Sequence, residues 1–367
     1  MKKKILVIDD SALMRRVISD IINLNNDYEV ADVAKDGIEG YEKIAANPNF
    51  YDAVIMDINM PRLDGIGLLK KLHEEHIEQT VIVVSTVAKE GARETIQALE
   101  YGAFDFVTKP ERFLETKSRD FSDRVCRVLD AATAKMRRRG NSAAVKHTDA
   151  GNHKENVNIV KVTDTSGLRD FKRGKKKLVA LACSTGGPKS LQQVIPYLPA
   201  DLDAGVVLVQ HMPKGFTKSL AQRLDELSKV TVKEAEEGDI VQKGWVYIAP
   251  GGMHMKVVPK GTEYAIHLTD EAPIDGLRPC ANLMYDSLKN CSYDEITCVV
   301  LTGMGSDGTK GIKALKEARK PIYVIGQDES TSVVYGMPRA LAQAGLVDSV
   351  VPLNKVADAI TKNVGVL

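Results

Sequence analysis

The sequence predicts an α/β protein of two domains, each a doubly wound, mostly parallel sheet, joined by a polar tether. Three observations carry that prediction. The chain has 367 residues, which at about 150 residues per domain means two or three domains. Short, near-continuous apolar runs alternate with amphipathic stretches in both halves, the pattern of strands covered on both faces. Between Arg137 and Lys177 that alternation stops.

In the first half the apolar runs are Ile5–Ile8, Val54–Met56, Val81–Val84 and Phe104–Val107. Leu13, Met14, Val17, Ile18, Ile21 and Ile22 fall three and four apart, which predicts a helix with one buried stripe. We count five β/α units, closing with a helix from about Phe113 to Met136. That is the size and rhythm of a flavodoxin-like (β/α)5 domain over residues 1–125. Residues 126–176 hold the end of that helix and the tether. There the basic runs Arg137-Arg138-Arg139 and Lys172-Arg173-Gly174-Lys175-Lys176-Lys177 flank a stretch too polar to offset its ordering entropy.

The rhythm resumes over 177–367. Leu178–Cys183, Val206–Gln210, Thr297–Thr302 and Ile322–Ile325 read as strands, with helices around Leu191–Leu198, Phe216–Leu227, Leu283–Leu288 and Gly311–Ala318. Between Thr231 and Thr269 short alternating runs with Gly-rich turns predict a β-hairpin appendage on the main sheet.

Composition narrows the function classes. Lys+Arg 50 against Asp+Glu 49 leave a net charge of +1, which argues against a protein built to grip nucleic acid or an anionic membrane. No apolar run approaches the roughly 18 residues of a membrane span. Met1-Lys2-Lys3-Lys4 leads into Ile5-Leu6-Val7-Ile8-Asp9-Asp10, too short and too acidic for a signal peptide. Cysteines 126, 183, 280, 291 and 298 are odd in number and show no C-x-x-C spacing, so neither a disulfide framework nor a zinc cluster is expected. A reducing, cytoplasmic setting fits.

Chemistry gathers at the carboxyl ends of strands, where open parallel sheets bind their ligands. Asp9 and Asp10 end the first run and Asp57 the third. Two carboxylates about 4 Å apart repel by about 4 kcal/mol at an effective dielectric near 20, so the cluster calls for a cation. Oxygen-only ligation favours Mg²⁺, and Asp57 is then placed as a carboxylate nucleophile. Ser85 and Lys109 follow the next two strand ends, offering a hydroxyl and a point charge to a phosphoryl group. A lone strand-end Asp is commonly a helix cap; four such positions in chain order point to chemistry.

Asp9-Asp10-Ser11, Asp57-Ile58-Asn59-Met60-Pro61, Asp64-Gly65, Ser85 and Phe106-Val107-Thr108-Lys109-Pro110 resemble a two-component receiver domain. The resemblance implies Asp57 as phosphoacceptor and Mg²⁺ held by Asp10, Asp57 and the Asn59 carbonyl, with Asp9 acting mainly through water. It also implies Ser85 and Phe106 as the switch pair.

In the second half, Leu178–Cys183 runs into Ser184-Thr185-Gly186-Gly187-Pro188 and then a helical pattern. A serine on such a turn is exposed over a helix N-terminus, which favours developing negative charge. The ordinary reading of the turn is an N-cap or a phosphate-cradling loop. Partners change that reading, because a nucleophilic serine needs a base and the base an orienting acid. His211 directly follows Val206–Gln210 and so emerges on the same sheet edge. His267 sits within an alternating strand and reads as structural, and His254 has no strand end to aim it. Asp307 follows the next apolar strand in Leu301-Thr302-Gly303-Met304-Gly305-Ser306-Asp307-Gly308, whose three glycines could turn N–H groups inward as an oxyanion hole. The order Ser184, His211, Asp307 differs from the α/β-hydrolases, chymotrypsin and subtilisin.

These segments, with Gln210-His211-Met212-Pro213-Lys214-Gly215-Phe216-Thr217, Ala249-Pro250-Gly251-Gly252-Met253-His254 and Gln327-Asp328-Glu329, resemble the catalytic domain of chemotaxis protein-glutamate methylesterases from about 177 to 364. The resemblance implies a Ser184–His211–Asp307 triad with Thr185 and Met304 as active-site support. It implies demethylation of glutamate methyl esters and deamidation of glutamines on methyl-accepting chemotaxis receptors. The implied phosphodonor is the chemotaxis histidine kinase, and ester hydrolysis needs no cofactor. A monomer is expected, with no nucleic-acid partner and no membrane insertion. Three positions depart from the family: Ala182 for a usual Gly, Asn282 for a usual acid, and Arg319-Lys320-Pro321 for a usual Gly-Gly turn. The rival reading is a non-enzymatic response regulator whose Gly-rich loops cradle phosphate. No G-x-x-x-x-G-K-[ST] and no helix-turn-helix with a basic face supports it.

Overall fold

The computed structural model describes residues 2–86, 88–110, 119–142 and 175–367. The expected helix start at Phe113 and the tether from 143 to 174 lie outside the described residues. The N-terminal domain runs β1 (Lys3–Ile8), α1 (Ala12–Leu24), β2 (Tyr28–Ala34), α2 (Gly37–Ala46), β3 (Ala53–Asp57), α3 (Gly65–Glu74), β4 (Val81–Ser85), α4 (Lys89–Glu100), β5 (Asp105–Thr108) and α5 (Arg119–Ser142). Its sheet has the order β2-β1-β3-β4-β5, parallel throughout. The order reverses at β1, which sets the carboxyl ends of β1 and β3 side by side. Polar residues after the strands start the helices: Ser11 accepts from the Met14 N–H, Asp36 from Ile38 and Glu39, and Asp64 from Gly67. α5 continues through Ser142, past the Met136 expected as its end.

The C-terminal domain runs β6 (Lys177–Cys183), α6 (Gly187–Leu191), β7 (Gly205–Gln210), α7 (Phe216–Leu227), β8 (Thr231–Glu234), β9 (Trp245–Ile248), β10 (His254–Lys260), β11 (Glu263–Thr269), α8 (Ala281–Ser287), β12 (Glu295–Val300), α9 (Thr309–Glu317), β13 (Ile322–Gln327), α10 (Met337–Gln343), β14 (Ser349–Val351) and α11 (Val356–Val364). Seven strands form one sheet in the order β14-β13-β12-β6-β7-β9-β8, with every pairing parallel.

Two expectations need correction. Only β10 and β11 make the antiparallel hairpin; β8 and β9 extend the main sheet. β8 is an edge strand, and its alternating Thr231-Val232-Lys233-Glu234 reflects that half-covered position. The helix expected over Leu191–Leu198 ends at Leu191, and a separate 3-10 turn covers Ile195–Tyr197. Pro196 lacks the N–H a continuing α-helix would use.

Among the described residues, buried apolar side chains form three clusters. One covers the face of the small sheet under α1 and α5. A second covers one face of the large sheet beneath the hairpin, α8, α9 and α10. The third is continuous from domain to domain, running from α3 and α4 into α6 and α7.

Candidate active site

Adjacent parallel strands bring the C-terminal residues together. Cys183 and Gln210 are register partners at the ends of β6 and β7, so Ser184 and His211 are the next residues out on neighbouring strands. The backbone keeps them there: His211 N–H donates to the Cys183 carbonyl at 3.2 Å, and Ser184 N–H to the Thr302 carbonyl at 3.0 Å. The turn after Ser184 depends on Gly186, at φ +75°, a left-handed conformation that glycine adopts without strain. The Asp307 loop closes on the serine so tightly that a Cβ on Gly303 would lie 2.8 Å from the Ser184 Cβ and 2.3 Å from the Met337 sulfur.

His211 Nε2 lies 2.8 Å from Asp307 Oδ2. With Nε2–H donating to the carboxylate, Nδ1 is the ring nitrogen left to accept a proton. The half-buried Ser184 hydroxyl makes no hydrogen bond among the described residues, a common state before a substrate tightens the site. Asp307 is buried, which by itself would raise its pKa. The His211 ring and the N–H groups of Asn282 and Ala281 overcome that and hold the carboxyl at about 2.

Several supporting groups were not singled out from the sequence. The buried Gln210 amide donates to the carbonyls of Ser184 (3.1 Å) and His211 (3.2 Å) and accepts from the Cys183 thiol (3.0 Å), stapling the two loops. The start of α8 supplies the Ala281 and Asn282 N–H groups to Asp307 at 2.6 and 2.8 Å. A polar residue closing an otherwise apolar strand was the available signal for Gln210; for the start of α8 there was none. The side-chain oxygen of Asn282, which stands for the family's usual acid, accepts from Gly308 and Gly311 N–H at 3.0 and 2.9 Å, capping α9, a task for which an amide serves as well as an acid.

The three-glycine oxyanion hole is corrected in part: the N–H groups of Gly303 and Gly308 are taken, whereas Gly305 N–H donates to nothing among the described residues. Gly303 N–H is committed to the Val334 carbonyl, and Gly308 N–H to Asn282 and Asp307. The N–H groups of Thr185 and Met304 donate to nothing among the described residues. Ala182 is a buried methyl within β6, and Arg319 takes a left-handed turn (φ +56°) before β13. His254 is buried at the start of β10 with Nε2 3.2 Å from the Ala272 carbonyl; His267 is half exposed and pairs with Glu237 at 3.0 Å.

In the N-terminal domain, Asp9, Asp10 and Asp57 each place a carboxylate oxygen within 4.8 Å of the others. Lys109 Nζ lies 2.6 Å from Asp57 Oδ2 and 3.0 Å from Asp9 Oδ2. Burial raises the Asp57 pKa, with Asp9 adding to the effect and Lys109 opposing it. Asp9 Oδ2 is buried with the Lys109 ammonium as its neighbour, and the three clustered carboxylates offer the oxygen-only donor set that suits a hard cation. The Asn59 side chain donates to Glu94 at 2.9 Å, and the Ser85 hydroxyl is turned away from the carboxylates to the Gly91 carbonyl at 3.0 Å.

Phe106 ties one site to the other. Its ring stacks on Phe216 with centroids 4.8 Å apart, and Phe216 opens the helix that follows the His211 loop. Beside it, Asp105 accepts from Phe106 N–H at 2.8 Å and faces Thr185; burial raises its pKa to about 6 against the opposing influence of these two groups. Glu100, at the end of α4, accepts from Arg223 at 2.6 and 3.3 Å and from Gln192 at 2.9 Å.

Comparisons with known proteins divide the chain the same way. Residues 179–360 match the family model described as CheB methylesterase, and residues 5–118 match the response regulator receiver domain. The chain is similar to the "Protein-glutamate methylesterase/protein-glutamine glutaminase" of Symbiobacterium thermophilum, 42% identical over 363 residues covering 99% of this chain and 97% of that protein. It is likewise similar to a protein of the same name from Pyrococcus horikoshii, 40% identical over 367 residues covering 100% of this chain and 95% of the other. Among solved structures, the Thermotoga maritima CheB methylesterase catalytic domain is 42% identical with a TM-score of 0.48, covering 50% of this chain and 97% of its own.

Proposed function

The chain belongs to the family of receiver-bearing protein-glutamate methylesterases/protein-glutamine glutaminases, and from that premise we propose how its residues do the work. It is a phosphorylation-regulated hydrolase of chemotactic adaptation. In our reading, residues 1–125 form the receiver, 126–176 the connection and 177–367 the catalytic domain. His211 Nδ1 takes the Ser184 proton as Oγ attacks the γ-carbonyl of a methylated glutamate on a chemoreceptor. The Thr185 and Met304 N–H groups receive the oxyanion. The imidazolium, steadied by Asp307, returns the proton to departing methanol, and a water activated by the same ring hydrolyses the glutamyl-serine ester. With ammonia departing in place of methanol, the same steps convert glutamine to glutamate. The observation carrying this reading is the 2.8 Å bond from His211 to Asp307 on the strand beside Ser184.

Asp10, Asp57 and the Asn59 carbonyl would hold Mg²⁺, with Asp9 reaching it through water. That ion would neutralise the carboxylates and receive the phosphoryl oxygens. Asp57 is the phosphoacceptor, the chemotaxis histidine kinase the donor, and Lys109 the charge partner of the phosphoryl group. Ser85 and Phe106 carry the change to the interface, where Phe106 on Phe216 and Asp105 on Thr185 support a closed, inhibited arrangement. Tenfold activation needs only about 1.4 kcal/mol of differential stability between closed and open forms.

Among the described residues no helix is long and apolar enough to cross a membrane; our reading is of a cytoplasmic monomer acting on chemoreceptors. Methanol release from methylated receptor membranes tests the scheme. A small phosphodonor with Mg²⁺ speeds release by wild type, and Asp57→Asn loses the gain; an undiminished gain in that variant removes Asp57 from the circuit.

A further inference from the structure

Asp307 holds more donors than one histidine requires. Oδ2 accepts from His211 Nε2 and Ala281 N–H. Oδ1 accepts from the N–H groups of Asn282 and Gly308, at 2.8 and 2.9 Å, and from the thiol of Cys280, whose sulfur lies 3.3 Å away. A carboxylate offers about four lone-pair sites, so these five donors compete, and the thiol is the weakest of them.

Cys280 is 1% exposed and immediately precedes α8. Burial, reinforced by the Asp307 charge, pushes its pKa up to about 12, so near neutral pH it stays S–H and can only donate to the carboxylate. The other buried thiol near the site, Cys183, points to Gln210 instead. The titratable groups around Asp307 are His211 from the end of β7, Cys280, and Tyr285 of α8. Burial keeps the Tyr285 phenol protonated, bonded to the carbonyls of Ala180 and Val299. Across the domain interface, Asp105 is the charged group that reaches Thr185, next to Ser184.

We infer that Cys280 is a positioning residue of the hydrolytic site, its S–H donating to Asp307 Oδ1 so as to orient the carboxylate and set the basicity of His211. The inference rests on the triad reading above. Each donor on Asp307 disperses charge that would otherwise stabilise the imidazolium. Losing one leaves more negative charge facing the imidazole and loosens the carboxylate; a hydroxyl in its place restores the bond and strengthens it.

The test follows the rate at which a fluorophosphonate phosphonylates Ser184, with fluoride leaving, in the full chain, measured by mass spectrometry against pH. For Cys280→Ala the acid limb moves up by roughly half a pH unit, and labelling below the midpoint slows roughly threefold. Cys280→Ser recovers the rate, with its limb at or below that of wild type. Rates that fall in both variants with no movement of the limb, or that do not change at all, overturn the inference. Absence of Ser184 labelling in wild type overturns the triad reading instead. A second measurement does not need the alanine variant to fold. The S–H stretch of wild type, assigned by difference against Cys280→Ser, is expected at lower frequency than a free thiol, and a free-thiol frequency overturns the donation to Asp307.

Discussion

Two buried carboxylates at strand ends or in the loops beyond them, Asp57 in the first domain and Asp307 in the second, are held in opposite ways. Asp307 is saturated with donors and its pKa lies near 2. Asp57 has one lysine, an acidic neighbour and a raised pKa. The first arrangement keeps a charge and a geometry constant through a reaction cycle. The second is unsatisfied until something binds. A fixed tool and a switch can therefore be told apart by how completely their polar atoms are already occupied.

The largest effect on that comparison should come from the tool itself. Ser184→Ala is expected to lower methanol release by roughly 10⁶-fold, because a triad without its nucleophile retains only binding and oxyanion contributions. Asp307→Asn should cost roughly 10⁴-fold, since the amide cannot hold His211 with Nδ1 free as base. A loss under tenfold would mean the ring is held by something else. The sign of the Asp307 shift also assigns the pH profile. A carboxyl lowered from its ordinary 3.8 to about 2 contributes stability that is present above the ordinary value and lost as pH falls through about 2. Asp307 therefore stays charged across the working pH range.

The switch should answer differently. A raised Asp57 pKa means its charge opposes folding at neutral pH, a cost relieved as pH falls through the folded value. Asp57→Asn is thus expected to raise the melting temperature of the receiver by roughly 3 °C while abolishing the phosphodonor response. A lower melting temperature would contradict the contrast drawn here. The smallest effect belongs to the interface. The Arg223 and Glu100 side chains are 38% and 20% exposed, so solvent screens their pair. Arg223→Ala should raise unphosphorylated activity only about two- to fivefold, with the phosphorylated rate unchanged.

The strand ends were legible because chemistry there is written in contiguous letters: an Asp pair closing β1, Asp57 closing β3, Ser184 and His211 following β6 and β7. Their supports were not, because they arrive from elsewhere in the fold. Nothing in Cys280-Ala281-Asn282 announces that its N–H groups face a residue 25 positions further on. The Gly303 and Gly308 amides looked free for an oxyanion and were taken up by Val334 and Asn282. The reading of β8 and β9 as part of an appendage erred because an edge strand and a hairpin strand share the same alternation. Short β14, α10 and α11 left too few periodic positions to read.

Gly303 has a last consequence. Every single-base change in a glycine codon that yields another amino acid adds a side chain, and here even a methyl group would collide with the serine and with Met337. Any replacement at this position must therefore move Met337 or the nucleophile itself.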